Sequence, residues 1–254
     1  MREMKFIQIN IYKGKYLDAF VDFLKQENPD IVAMQEVTSG DVSYYHDKTV
    51  DVFEYVKAKT GFDGYFGSNL KFADSAESLF GNAVLTKLPI TGSKVLSLKE
   101  FRPVIPSELE DRSIFPYLAR LAVDAMIDVD GRTVHAISWH GAWTAPPQDT
   151  TETLRQAQLV ADYLKKINEP FILGGDLNNI PESKTVGLIS SVANNLMTGS
   201  QVEQTTHSKI HKIAPKGYLV DYIFTSPHFK LKSLRVPEVL VSDHLPVVAE
   251  IELW

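Results

Sequence analysis

The stretch PDIVAMQEV, residues 29–37, decides how this chain is read. Its apolar run is too short for a helix and is bounded by turn residues, so it reads as a buried strand. That strand delivers Gln35 and Glu36 at its C-terminal end. Upstream, Met4 to Ile11 has a strand pattern, and Lys15 to Gln26 carries Tyr16, Leu17, Phe20, Phe23 and Leu24 at helical spacing. Asn28-Pro29 stops that helix, which gives a strand, helix, strand opening.

Downstream, Asp51 to Lys59 is a second helix candidate. Short strands follow at Gly64 to Ser68, Ala83 to Thr86 and Gly92 to Leu98, each punctuated by Gly or Pro. Arg102 to Pro116 mixes acids, arginines and prolines without periodicity and reads as a long loop, a length that usually signals function or disorder. Leu118 to Val129 and Arg132 to His140 read as strands joined at Asp130-Gly131, a strong hairpin signal. Thr150 to Lys166 is the clearest helix, with Leu154, Ala157, Val160, Ala161 and Leu164 on one face. Phe171 to Gly174 is a buried strand with Gly175-Asp176 just beyond it. Tyr218 to Thr225, Leu231 to Val236 and Pro246 to Leu253 complete the strands. Strands outnumber helices about two to one, which suits two packed sheets with helices outside better than one parallel sheet.

Composition narrows the classes. The 254 residues are 44% hydrophobic and 23% charged, a globular balance that excludes disordered and fibrous chains. With no linker-like stretch or internal repeat, a single domain over 1–254 is expected. The net charge is −6, so nothing draws the whole molecule toward nucleic acid or an anionic membrane, and a phosphate partner must be handled locally. The chain has no cysteine, which excludes a disulfide scaffold, a thiolate nucleophile and cysteine-based zinc sites. Neither a signal-peptide core nor an apolar run of the ~20 residues a span requires is visible, so a cytoplasmic protein without a transmembrane segment is expected.

Polar, ligand-type residues directly follow apolar strands at Asn10, Gln35-Glu36, Asp176-Leu177-Asn178 and Ser242-Asp243-His244. His140 ends the hairpin, and Asp221 sits inside an apolar run where a charge is costly unless paired or ligated. Taken singly, each has a structural explanation. Glu36 is a solvated strand end, Asp176 an Asx turn or helix cap, His140 a packed core histidine, Asp221 a satisfied buried acid, and Asp243-His244 a turn. Their joint presence at strand ends points to a site. Carboxylates and amides without thiols suit a hard divalent cation such as Mg²⁺, with Glu36 as ligand and Asp243 as a second. Two histidines suit proton transfer and phosphate contact near neutral pH. The reaction implied is metal-assisted phosphoester hydrolysis.

Seven stretches, in order, resemble the endonuclease/exonuclease/phosphatase superfamily, which includes type I deoxyribonuclease, exonuclease III-type nucleases, neutral sphingomyelinases and inositol polyphosphate 5-phosphatases. They are QIN (8–10), PDIVAMQEV (29–37), GNAVLTKLPI (81–90), SWH (138–140), ILGGDLNNIP (172–181), VDYIFTS (220–226) and SDHLPVVAEIEL (242–253). The resemblance implies an α/β fold, a four-layer α-β-β-α sandwich of two mixed sheets flanked by helices, with the site at one rim. It implies that Asn10 contacts metal or phosphate, that Glu36 binds Mg²⁺ or Mn²⁺ with Asp243 on the metal side, and that His140 binds phosphate or acts as general acid. Asp176 then orients the attacking water, Asn178 holds phosphoryl oxygens, and Asp221 pairs with His244. Either His244 or Asp176 removes the water proton, and the reading favours Asp176, with His244 kept cationic by Asp221. Asn82, beside Gly81, is a phosphate-side candidate. Trp139 and Trp143 are either stacking platforms or packing, and Arg120 either borders the site or forms a surface salt bridge. The family often has Thr-His-Leu where this chain has Trp139-His140-Gly141.

The leading functional reading is a Mg²⁺- or Mn²⁺-dependent phosphodiesterase or phosphatase acting on a phosphorylated small molecule, a phospholipid headgroup or a nucleotide, with no obligate protein partner. The alternative is a DNA or RNA nuclease, for which an acidic chain lacks an obvious basic footprint. An inactive binding module on the same scaffold is a third reading, opposed by the complete residue set. A serine hydrolase is rejected, because Ser242, Asp243 and His244 are adjacent and no Gly-x-Ser-x-Gly elbow exists. Residues 102–116 and 143–149 are expected to set substrate choice.

Overall fold

Alternation along the first two strands, β1 (Arg2–Asn10) and β2 (Ile31–Ser39), sets the layering. Side chains of a strand point to opposite faces with period two. Phe6, Ile31 and Ala33 accordingly enter the core between the sheets, while Ile7, Ile9, Val32 and Met34 join the outer core against helices. A strand buried on both faces reads as a continuous apolar run, which is why Ile31 to Met34 has no polar interruption.

The computed structural model describes residues 1–42, 45, 49–212 and 217–254. After β1 come α1 (Leu17–Glu27), β2, α2 (Val52–Thr60), β3 (Asp63–Phe72), β4 (Ser75–Thr86) and β5 (Ile90–Lys99). The second half holds β6 (Arg120–Val129), β7 (Arg132–His140), α3 (Thr151–Leu164), β8 (Phe171–Asp176), α4 (Lys184–Ser190), β9 (Asn194–Asn195), β10 (Asp221–Thr225), β11 (Phe229–Arg235) and β12 (Val247–Leu253). One six-stranded sheet has the order β11-β12-β1-β2-β4-β3 and the other β5-β6-β7-β8-β10-β9. Each is mixed, with one parallel pair: β1 with β2, and β7 with β8.

Helices α1 and α2 cover the first sheet through Leu17, Phe20, Leu24, Val52, Phe53 and Val56. Helices α3 and α4 cover the second through Ala157, Val160, Leu164, Val186 and Ile189. Local chemistry fixes their ends. Asn28 adopts a left-handed conformation (φ 51°) and Pro29 follows it, closing α1. The Asp51 carboxylate caps α2 by accepting from the Glu54 amide, and Thr150 does the same for α3 from Thr153. The result is the expected four-layer α-β-β-α sandwich.

Several boundaries differ from the sequence reading. The strands expected at Gly64–Ser68 and Ala83–Thr86 belong to a longer hairpin, β3 to β4. Gly67 and Gly81 lie inside it: a Cβ on Gly81 would sit 1.9 Å from the Gly67 carbonyl oxygen. Residues 102–116 are not wholly irregular. They hold a 3-10 turn at Pro106–Glu110 and the start of another at Phe115–Tyr117, and Val104 bridges to Phe72. The strand expected from Leu118 starts at Arg120, and the one expected from Tyr218 starts at Asp221. The strand expected at Leu231–Val236 spans Phe229–Arg235. Helix α4 and the two-residue β9 are too short to leave a periodic signal.

Gly174 lies at a close approach of the two sheets beneath the rim. A Cβ there would meet the Gln8 side-chain oxygen at 2.7 Å and both Ala33 Cβ and the Phe6 ring at 2.9 Å. Overpacking of this kind costs about 1–3 kcal/mol. Gly174→Ala is therefore expected to lower urea-unfolding stability by about that amount. Gly187→Ala, on the exposed face of α4 with nothing within 4 Å, is expected to raise it by about 0.5–1 kcal/mol. Equal effects at the two positions would contradict the packing account.

Candidate active site

The same alternation that builds the core ends in polar residues at one rim. Gln8 and Asn10 continue the inner face of β1, Gln35 that of β2, Ser138 and His140 that of β7, and Gly174 and Asp176 that of β8. β1, β2, β7 and β8 end at this rim, and antiparallel β10 begins there with Asp221 opposite Asp176. The segment 242–244 enters β12, antiparallel to β1, from the same side.

A buried amide network lies just below. Gln8 and Gln35 exchange side-chain hydrogen bonds, Gln35 Nε2 donates to Ser138 Oγ at 2.9 Å, and Gln8 Nε2 donates to Asp221 Oδ1 at 3.3 Å. Asp221 is fully buried and pairs through Oδ2 with His244 Nδ1 at 2.9 Å. Above it, three groups surround one carboxylate oxygen, Asp176 Oδ2: Asn10 Nδ2 donates to it at 3.1 Å, His140 Nε2 lies at 3.5 Å and His244 Nε2 at 3.7 Å. The Asn178 amide donates to Asp176 Oδ1 at 3.0 Å.

Glu36 reaches this rim by a different device. By strict alternation it would face the helices, but a register shift between Met34 and Val37 inserts one extra residue, and Glu36 takes a left-handed φ of 54°. Such a bulge re-aims a side chain, here into the pocket. The Lys13 ammonium meets Glu36 Oε2 at 2.9 Å.

The electrostatics separate the titratable groups. Burial opposes the charge on His244, but Asp221 and Asp176 outweigh it and raise its pKa well above the usual value. Burial and the Arg120 charge push His140 down to about 4, so it is neutral at pH 7. Burial, reinforced by Asp221, raises the Asp176 carboxyl, and burial with Glu36 lifts Asp243 to about 6. Burial would also raise Glu36, yet Lys13 and His140 hold it at about 2. Divergent values among close neighbours mark sites where protons move.

One pocket of about 100 Å³ is lined by Asn10, Glu36, His140, Trp143, Asp176, Asn178, Asp243 and His244 from the sequence-derived set. Asp221 supports it from beneath. Asn82 does not line it: its side chain is buried between the sheets and donates to the Leu121 carbonyl at 3.0 Å. Trp139 is no stacking platform. With His140 facing the seam, alternation turns Trp139 to the opposite face and into the core, 1% exposed. Arg120 is not a surface salt bridge. It is buried, lines the pocket and donates through Nε to the Gly141 carbonyl at 2.8 Å.

Sequence reasoning missed Lys13, Glu110, Arg112, His211 and Lys212, all lining the pocket. Glu110 and Arg112 fall within 102–116, the loop expected to set substrate choice, although neither was singled out, and for His211 the His207…His211 spacing offered a signal. Lys13 belongs to the turn after β1, whereas Glu110 and Arg112 come from one loop and His211 and Lys212 from another, and these two loops meet at the pocket. Lys212 Nζ binds Glu110 Oε2 at 2.7 Å, and Arg112 donates to the Lys212 carbonyl at 3.1 Å. Phe115 packs edge-on against Trp143, with centroids 5.1 Å apart.

A two-sheet sandwich whose rim gathers carboxylates, histidines and a buried arginine defines a class of α/β phosphoesterase scaffolds. Residues 7–244 match the Endonuclease/Exonuclease/phosphatase family, and the chain belongs to it; members are hydrolytic phosphoesterases, typically dependent on a divalent metal. No curated protein matches the sequence. Solved structures share the fold. An endonuclease/exonuclease/phosphatase from Bacteroides vulgatus is 21% identical with TM-score 0.76, covering 100% of both chains. A mannosyl-6-phosphatase from Bacteroides thetaiotaomicron is 17% identical (TM-score 0.71; 98% of this chain, 100% of that one). D. rerio TDP2 complexed with single-strand DNA product is 15% identical (0.71; 99% and 100%). Among the described residues no helix is long and apolar enough to cross a membrane.

The donor set fits a hard dication. Asn10, Glu36 and Asp243 offer oxygens, and the ammonium already drawn to Glu36 shows that this carboxylate seeks a cation. Asp176, Asp221 and His244 also cluster closely enough to hold a metal. Asp221 and His244 Nδ1 are committed to each other, however, so this group reads as a hydrogen-bonded cluster.

Because the folded pKa of His244 lies above its unfolded one, its pair with Asp221 contributes stability that is complete below about pH 6.5. That contribution is lost as pH rises through the folded pKa. At pH 7.5, nitrogen NMR is expected to find His244 doubly protonated and His140 neutral, with Asp221→Asn returning His244 to neutrality. A neutral His244 in the unaltered protein would contradict the assignment.

Proposed function

We propose that the chain is a Mg²⁺- or Mn²⁺-dependent phosphoesterase that hydrolyses a small phosphorylated molecule. The observation that carries this is the roofed pocket itself. It gathers the Asp176 cluster at its floor, four basic side chains (Lys13, Arg112, Arg120 and Lys212) and an apolar wall of Phe80, Leu109, Phe115, Leu118 and Trp143. At about 100 Å³ it is well below the few hundred Å³ of a drug-sized site. It suits a phosphoryl group and the atoms next to it, while the roof opposes approach by a rigid duplex. The mannosyl-6-phosphatase of the same fold is in keeping with this substrate class.

Asp176, with its raised pKa, takes the proton of the attacking water, and the Asn10 amide and the Asn178 backbone fix its carboxylate. Cationic His244, held by Asp221, presents Nε2 toward the phosphoryl oxygens. Arg120 and Asn178 flank the same oxygens, and neutral His140 serves as a donor beside them. Glu36 would hold the metal, with Asn10 and Asp243 on its flank, and the bound ion would supply charge neutralisation at the phosphoryl group.

Hydrolysis of small phosphomonoesters and of bis-p-nitrophenyl phosphate is expected with Mg²⁺ or Mn²⁺ and not with chelator. Asp176→Asn should lower kcat about 10²–10⁴-fold with the fold intact. Unchanged turnover in that variant, or activity in chelator, would overturn the reading. Preference for duplex or single-stranded nucleic acid over all small esters would favour the nuclease alternative.

A further inference from the structure

The turn Tyr12–Gly14 after β1 places three consecutive residues in the left-handed region, with φ of 49° at Tyr12, 56° at Lys13 and 73° at Gly14. Tyrosine and lysine seldom adopt such a backbone, and strain of this kind persists where the surroundings over-determine it. Its effect is to bury Lys13. The side chain is 6% exposed, its ammonium lies 4.7 Å from the Tyr12 ring centroid, and it reaches Glu36 Oε2 at 2.9 Å. Glu36, in turn, is aimed at the same point by its own left-handed residue and bulge. Two separately strained segments thus converge on one ion pair, inside the pocket and against the carboxylate read above as the metal anchor.

A lysine is almost never buried unless paired, so this contact is built rather than incidental. It has a consequence for a dication seeking Glu36. An ammonium and a divalent ion on the same carboxylate would sit a few Å apart, and their repulsion is twice that of two unit charges at equal distance. Both cannot be held at full strength.

We propose that the Lys13 ammonium is the resident occupant of the cation seat at Glu36, displaced when a divalent ion binds, so that Lys13 sets the metal affinity of the site. Lys13 keeps the metal-free pocket balanced, because Glu36, Asp243 and Glu110 all act on its charge. The displaced ammonium stays within a pocket whose wall includes Glu110 and Asp243, and whose phosphate-bearing substrate gives it a new partner. Metal entry and phosphate contact are thereby coupled through one side chain. This rests on the reading of Glu36 as the metal anchor.

The test is Mn²⁺ titration of the full chain, with free Mn²⁺ read by electron paramagnetic resonance. Lys13→Met is expected to bind Mn²⁺ about tenfold or more tightly than the unaltered protein. Its metal-free melting temperature should fall, since buried Glu36 loses its partner, and Mn²⁺ should restore it by a larger shift than in the unaltered protein. Lys13→Gly, suited to the left-handed backbone, carries the same expectation if the Met variant fails to fold. Equal or weaker Mn²⁺ binding in these variants would overturn the role of Lys13 while leaving Glu36 as anchor. Failure of the unaltered protein and both variants to bind Mn²⁺, or full binding by Glu36→Gln, would instead overturn the metal anchor and this inference with it.

Discussion

The structure depends on one buried ion pair, Asp221 with His244. Asp221 has no exposure to water, and its charge is tolerated because His244 Nδ1 and Gln8 Nε2 hold its two oxygens. Removing one partner of such a pair typically costs about 3–5 kcal/mol, although the intact pair adds little net stability over an apolar replacement. Its value here lies in position. Asp221 opens β10 in one sheet, His244 precedes β12 in the other, and Gln8 belongs to β1, so the pair pins both sheets together at the rim. With His244 held cationic from below, Asp176 is left facing the pocket with a raised pKa, the condition that its proposed proton-accepting role requires.

Backbone strain is concentrated at the same rim. Tyr12, Lys13, Glu36 and Asn178 all adopt left-handed conformations, and each lines the pocket. Asn178 tolerates this more easily than the others, because asparagine visits that region readily. Regular strands alone would leave Glu36 facing the helices. The irregularities turn a two-sheet core into a concave site, and the tight passage of Gly174 across Phe6 and Ala33 brings the second sheet near enough to complete it.

The sandwich was legible because its central strands are buried on both faces and read as short apolar runs bounded by turn residues. PDIVAMQEV, the Asp130-Gly131 hairpin and the apolar face of 150–166 each carry enough signal alone. The floor of the site was legible for the same reason, since Asn10, His140, Asp176 and Asp221 occupy rim ends of such strands. What escaped was local. No pattern announces the bulge at Glu36, and the burial of Lys13 follows from a turn whose conformation its residues disfavour. Of the roof, 102–116 was legible as a specificity loop from its length and aperiodicity, but not its pairing: Glu110 and Arg112 meet Lys212 from a segment a hundred residues away, joined only by tertiary contacts. Asn82 was placed by likeness of its neighbours, whereas its strand turns it between the sheets.

The account holds that the oxygens at Glu36 seat the cation, while Asp176 takes the water's proton beside a His244 that Asp221 keeps cationic. Anomalous diffraction from crystals soaked with Mn²⁺ tests this most directly. The account predicts a peak within about 2.0–2.3 Å of a Glu36 carboxylate oxygen, with the Asp221–His244 hydrogen bond intact. A sole peak enclosed by Asp176, Asp221 and His244, with that hydrogen bond broken, would contradict it.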